Sequence, residues 1–200
     1  LEYTKTFGGR VISFCQDEFL AKKGVLNESI VSTELGLKGI PNISESINMY
    51  RDIEILRYSG GKIHIPYVTT SKGVDLIREA KKNNLDITAS VSLAHITFSE
   101  KDIPEFDTNY KLIPPLRSES DLNSLKEGLV DGTLDYLTSM HEPFDVDNKK
   151  IVFDNASSGS IGLESMFGLM SNQFTLEKTI DILTRKKIIF EVDDHPIEIG

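Results

Sequence analysis

The sequence predicts an α/β fold built on a parallel sheet, about half of an eight-stranded (β/α) barrel. Three observations carry this reading. Short apolar runs of β type alternate with helical patterns. About four such βα units occur along the chain. Long polar loops follow the strands, at residues 99–117 and 141–162, where barrels carry their functional segments. A doubly wound sheet is the alternative, but no G-x-G-x-x-G fingerprint supports it.

The elements follow in order. Residues 11–14, Val-Ile-Ser-Phe after the Gly8-Gly9 turn, form a short buried-strand candidate. Residues 17–23 read as a short helical or irregular segment, and residues 28–37 as a helix closed near Gly39. The clearest helix spans 44–58: Ile43, Ile47, Tyr50, Ile53 and Tyr58 recur near the helical period, Pro41-Asn42 opens it and Gly60-Gly61 closes it. Residues 62–68 are the second strand. Ser71 is the expected cap of a helix to Lys82, ended by Asn83-Asn84. Residues 85–91 form the third strand, 121–130 a helix ended by Gly132, and 134–139 the fourth strand. Short helices at 164–169 and 175–185 and a last strand at 188–192 complete the pattern, so that 1–187 read as the half-barrel and 188–200 as the start of a further strand segment.

Composition narrows the function classes. With 22 Lys and Arg against 31 Asp and Glu, the net charge of −9 argues against a nucleic-acid or anionic-membrane surface. No apolar run approaches the roughly 20 residues of a membrane span, and residues 1–10 lack the apolar core and cleavage site of a signal peptide. Cys15 is the single cysteine and has no internal partner, which fits a reducing cytoplasm. The chain opens on Leu1-Glu2-Tyr3 without Met and stops at Ile197-Glu198-Ile199-Gly200, so it reads as a piece of a longer chain. A half-barrel would have two open sheet edges and an uncovered apolar face, and a homo-oligomer or a missing second half is expected to cover them.

Several stretches, in fixed order, resemble the bacterial (class I) dihydroorotases, cyclic amidohydrolases of pyrimidine biosynthesis. They are Gly24-Val25-Leu26-Asn27-Glu28 with Leu35-Gly36-Leu37-Lys38-Gly39-Ile40-Pro41, continued by Glu45 and Arg51-Asp52; Lys62-Ile63-His64-Ile65-Pro66-Tyr67-Val68-Thr69-Thr70; and Ile87-Thr88-Ala89-Ser90-Val91-Ser92-Leu93-Ala94-His95. Lys111-Leu112-Ile113-Pro114-Pro115-Leu116-Arg117, Thr138-Ser139-Met140-His141-Glu142-Pro143-Phe144 and Ser158-Gly159-Ser160-Ile161-Gly162-Leu163-Glu164 follow. Each motif alone is weak; six in order are specific, and they cover nearly the whole chain. The resemblance implies a TIM-type barrel, with this chain supplying approximately strands five to eight. It also implies metals and substrate at the C-terminal ends of the strands. The family's His-x-His motif on strand one and its strand-four ligand would lie upstream.

The family places a histidine on strand five, a histidine on strand six and an aspartate on strand eight. Phe14, Tyr67 and Met140 stand there. Metal-assisted hydrolysis of a cyclic amide needs imidazole and carboxylate ligands to generate hydroxide near neutral pH. Phe has no lone pair, thioether sulfur is a poor zinc ligand, and a phenol with a pKa of about 10 is a weak one. The aspartate would also be the general acid/base. Implied substrate-pocket positions are His95, Ile113, Arg117, His141, Phe144, Ser158 and Gly159, where Ile113 replaces an Asn and Phe144 a His.

The bland readings stand beside these. His64 is expected to be a structural strand histidine, Cys15 a small buried hydrophobe, and Asp17, Asp145 and Asp147 caps or solvated loop residues. The Gly159–Gly162 turn is mainly backbone geometry.

The resemblance then implies a dihydroorotase-like protein that is non-catalytic or catalytically impaired, with no metal cofactor, and a structural partner of aspartate transcarbamoylase. The first alternative is an active metal-dependent enzyme with a rearranged site, using zinc held by His64, His95, His141 and upstream residues. The second is a small-ligand binding module.

Overall fold

The computed structural model describes residues 1–184. Helix α1 (Glu2–Lys5) leads into β1 (Arg10–Ile12), followed by α2 (Glu18–Ala21), β2 (Leu26–Asn27), α3 (Ile30–Glu34) and β3 (Gly39–Ile40). Next come α4 (Ile43–Ser59), β4 (Lys62–Ile65), α5 (Ser71–Lys82), β5 (Ile87–Ser92), α6 (Leu93–Thr97) and α7 (Glu119–Asp131). The rest is β6 (Tyr136–Thr138), α8 (Val146–Lys149), α9 (Met166–Gln173) and α10 (Leu176–Thr184).

Strands β1, β4, β5 and β6 form one parallel sheet in that order. Successive strands of this sheet are therefore sheet neighbours, with α4, α5 and α7 in the connections, as in consecutive βα units of a barrel. Among the described residues the sheet stays open and does not close into a barrel. Strands β2 and β3 pair as a small separate parallel ribbon beside it.

The period-2 pattern of the strands assigns two faces. Ile63, Ile65, Ile87, Ala89 and Val91 point to the helices and pack with Met49, Ile53, Leu56, Val74, Ile77, Leu125 and Leu129 in one apolar core. The alternate residues, His64, Thr88, Ser90 and Ser92, form a polar inner face that is equally buried.

The helix ends follow side-chain chemistry. Thr70, not Ser71, caps α5 by accepting from the Gly73 N–H, because its side chain sits in extended backbone just before the first turn. Ser118 caps α7, and Gly132 ends it in the left-handed conformation (φ 83°). Strand β1 is shorter than expected and ends at Ile12, so Phe14 lies beyond it. The helix expected over 28–37 is one short turn, α3. Helix α8 lies within the stretch 141–162 expected to be loop, α6 occupies residues to which no element was assigned, and α9 begins later than expected. The expected strand at 188–192 and the segment 188–200 lie outside the described residues.

Candidate functional site

Phe14, Tyr67 and Met140 occupy equivalent positions. Each lies two residues past the C-terminal end of its strand: β1 ends at Ile12, β4 at Ile65 and β6 at Thr138. Their neighbours tie these ends down. Ser13 N donates to His64 O at 2.9 Å and its hydroxyl donates to Asp52 on α4. Val68 N donates to Ser90 O at 2.9 Å. Beyond Met140, His141 forms a parallel bridge with Ser160. Gly162 approaches so closely that a Cβ there would fall 2.1 Å from the Ser139 carbonyl oxygen.

Two of the three positions are strained. Tyr67 (φ 57°) and Met140 (φ 47°) hold left-handed backbone without being glycine, at a cost of about 1–3 kcal/mol each. Phe14 is 45% exposed, Tyr67 half-buried and Met140 buried. None offers an imidazole or a carboxylate. Among the described residues, no group of three or more His, Cys, Asp or Glu comes together where it could hold a metal ion. The residues present at this rim therefore do not fit zinc.

The histidines are otherwise engaged. His95 is buried (2% exposed). Its Nε2 faces the Pro114 and Pro115 carbonyl oxygens at 3.1 and 3.2 Å, so it carries the proton. Its Nδ1 lies 2.6 Å from Ser92 Oγ, which donates to it. Burial pushes the imidazole down to about pKa 4, so the ring is neutral. His64 faces the inner side of the sheet, with Nδ1 2.9 Å from Thr88 Oγ1 and Nε2 3.2 Å from Ser90 Oγ. Burial also holds it near pKa 4. His141 is exposed, and its Nδ1 accepts the Leu163 N–H at 3.4 Å.

Arg117 is a clamp in the interior, 2% exposed. It donates to Asn27 Oδ1 (2.8 Å), the Ile40 carbonyl (2.7 Å) and Thr69 Oγ1 (3.2 Å). Thr69 and Thr70 deliver backbone and hydroxyl hydrogen bonds to the buried Glu45 carboxylate. Asn27 in turn donates to Glu100. This chain joins β2, β3, α4, the segment after β4 and the loop after β5. Composition and spacing gave no sign of it, because its members are up to 90 positions apart.

The two long loops are also sewn together. Gly159 N donates to Lys111 O at 2.9 Å, and Lys111 Nζ to the Phe153 and Asp154 carbonyls. Phe144, Gly159 and Lys149 line a cavity of about 400 Å³ between these loops. Ile113 is 41% exposed, its peptide to Pro114 is cis, and Ser158 is half-buried. Ile113 and Ser158 are not among the cavity's lining residues, nor are His95, Arg117 and His141.

No family model matches the chain. It is 38% identical, over 199 residues and its whole length, to a dihydroorotase of Caldanaerobacter subterraneus subsp. tengcongensis, covering 46% of that protein. It is 41% identical over 199 residues to a dihydroorotase of Pelotomaculum thermopropionicum, again covering 46%. The chain thus spans about half the length of the curated relatives it matches. In structure it is similar to an L-hydantoinase (dihydropyrimidinase) from Arthrobacter aurescens, with TM-score 0.79 and 19% identity over 94% of this chain and 45% of that one. A dihydroorotase from Saccharomyces cerevisiae solved with 5-fluoroorotic acid has TM-score 0.60 and 16% identity over 70% of this chain and 41% of the other. These solved structures share the fold of this chain. In sequence, over its whole length, the chain is similar to the C-terminal part of dihydroorotases.

Proposed function

We propose that the protein containing this chain is a dihydroorotase-like member of pyrimidine biosynthesis that does not hydrolyse dihydroorotate, and that serves as a structural partner of aspartate transcarbamoylase. One observation carries the loss of catalysis: the three strand-end positions that would hold metal present Phe14, Tyr67 and Met140. Without imidazole or carboxylate there, this half of the molecule supplies neither metal ligands nor the general acid/base that amide hydrolysis requires. The retained scaffold supports a structural role. The strand ends stay anchored and the Arg117–Glu45 network is intact, although the residues that would use that rigidity are replaced.

The test is turnover of dihydroorotate by the full-length protein, with its zinc content measured in parallel. The reading predicts no turnover above background; stoichiometric zinc with normal turnover ends it. Co-purification with aspartate transcarbamoylase at a fixed ratio tests the partner. An active enzyme with a rearranged site would need His64 and His95 as ligands, and their ring nitrogens are already hydrogen-bonded. The binding-module reading is favoured by the cavity between the loops. Cytoplasmic location is supported by Cys15, a buried free thiol. Self-association is supported by the open β1 edge, where Ile12 is exposed.

A further inference from the structure

The cavity between the loops has walls that are mostly apolar and aromatic, including Phe98, Tyr110, Leu112, Leu116 and Phe144. Its volume of about 400 Å³ lies in the range of small-molecule sites. The walls are held open by packing. Phe98 and Tyr110 meet edge-on with ring centroids 5.5 Å apart. Gly159 lies so close that a Cβ there would fall 2.5 Å from the Glu142 carbonyl oxygen and 2.7 Å from the Phe144 ring.

Two ammonium groups stand at this wall. Lys149, which lines the cavity, donates to the Ser157 and Gly159 carbonyls, both at 2.9 Å. Behind it Lys111 donates to the Phe153 and Asp154 carbonyls at 2.8 and 2.9 Å. An ammonium has three N–H donors, so Lys149 has one beyond these bonds, whereas Lys111 is buried and its Nζ also lies over the Phe153 ring, 5.6 Å from the centroid. Among the described residues neither lysine is in a salt bridge. Burial and the Lys111 charge lower the Lys149 pKa, against the carboxylates of Asp107 and Glu142. Glu142 also lines the cavity but is exposed, where solvent screens it. Asp107 already accepts the Asn109 N–H in its own turn. The combination is an apolar chamber with a partly dehydrated ammonium on one side, which no carboxylate of the described residues contacts within salt-bridge distance.

We propose that this cavity binds a small amphiphilic monocarboxylate, its aryl or alkyl body against Phe98, Tyr110, Leu112 and Leu116 and its carboxylate on Lys149. The proposal goes beyond the metal-free rim and does not depend on it, since reversible binding here and turnover at the strand ends are read by different measurements.

Isothermal titration of the full-length protein with 3-phenylpropionate, 3-phenylpropionamide and orotate tests it. 3-Phenylpropionate is expected to bind. The neutral amide should bind at least about tenfold more weakly, for want of the charge-assisted hydrogen bond. Orotate, with a polar ring, should also bind more weakly. Lys149→Gln is expected to abolish the preference for acid over amide, whereas Lys150→Gln, which removes an exposed neighbouring charge, should leave it intact. Ala94→Phe, which fills the cavity from the α6 wall, should abolish binding of both; if that variant fails to fold, Lys149→Gln decides alone. No heat of binding with 3-phenylpropionate at millimolar concentration, tighter binding of orotate, or an unchanged acid preference in Lys149→Gln would each overturn the proposal.

Discussion

The Arg117 network and the rim of strand ends are built from the same sheet, yet they treat polarity in opposite ways. Inside, the buried Arg117 donates directly to Asn27, which donates to Glu100, and reaches the buried Glu45 through Thr69. At the rim, Phe14, Tyr67 and Met140 bring no carboxylate and no imidazole. The difference teaches that the fold's stability and the family's chemistry rest on separate residue sets. A buried charge network cannot lose one member cheaply, because the partners stay behind unpaired. In the proposed reading, the rim positions carry no such constraint, because no metal is held there.

The largest effect should come from breaking the interior. Arg117→Met is expected to cost about 3–5 kcal/mol, because Asn27, the Ile40 carbonyl and Thr69 lose a buried charged donor and the nearby Glu45 and Glu100 lose its positive charge; urea unfolding measures it. A loss below about 1 kcal/mol would show that the network is no more demanding than the rim.

The rim tolerates change in the other direction. The combined variant Phe14→His, Tyr67→His, Met140→Asp in the full-length protein should gain zinc-dependent stability. The gain is about 2.7 kcal/mol when free zinc is a hundredfold above its Kd, read as a thermal shift that the natural protein does not show. Absence of the shift would mean that the three strand ends no longer converge as ligand positions.

The neutral histidines give a pH signature. His64 and His95 are held near pKa 4 in the folded protein, against about 6.5 in the unfolded chain. Between those values the unfolded state binds more protons, so stability falls as pH drops from about 6.5 toward 4. The slope is at most about 1.4 kcal/mol per pH unit for each histidine. His95→Asn should flatten that slope in denaturation curves taken from pH 7 to 4.5; an unchanged slope would show that His95 is not protonation-linked to folding.

The smallest effect is backbone strain. At Tyr67 (φ 57°), Tyr67→Gly should be more stable than Tyr67→Ala by about 1 kcal/mol, since only glycine holds that conformation without strain. Equal stabilities would place no strain at the rim.

Much of the fold was legible from local pattern. The alternation in Ile63-His64-Ile65 and the period of α4 needed no tertiary information, and Gly132 announced the end of α7. The loops were legible only as loops. Helix α6 follows β5 without a break, because Ser92 closes the strand and caps the helix in one residue. That transition has no glycine, proline or run of loop residues to mark it, only the single hydroxyl of Ser92. Thr70 displaced Ser71 as a cap because the strand's exit, rather than residue type, decides which hydroxyl precedes the first turn. At the site, the substituted positions were readable from the family resemblance. The roles of Arg117 and Lys149 were not, since both depend on carbonyls and amides brought from distant segments.

An anomalous-scattering map at the zinc edge, from crystals of the full-length protein grown with zinc, tests most directly whether this rim has lost its metal chemistry. The expected map has no zinc peak at coordinating distance from any side chain of residues 1–184. A peak bonded to His64, His95 or His141 would contradict it.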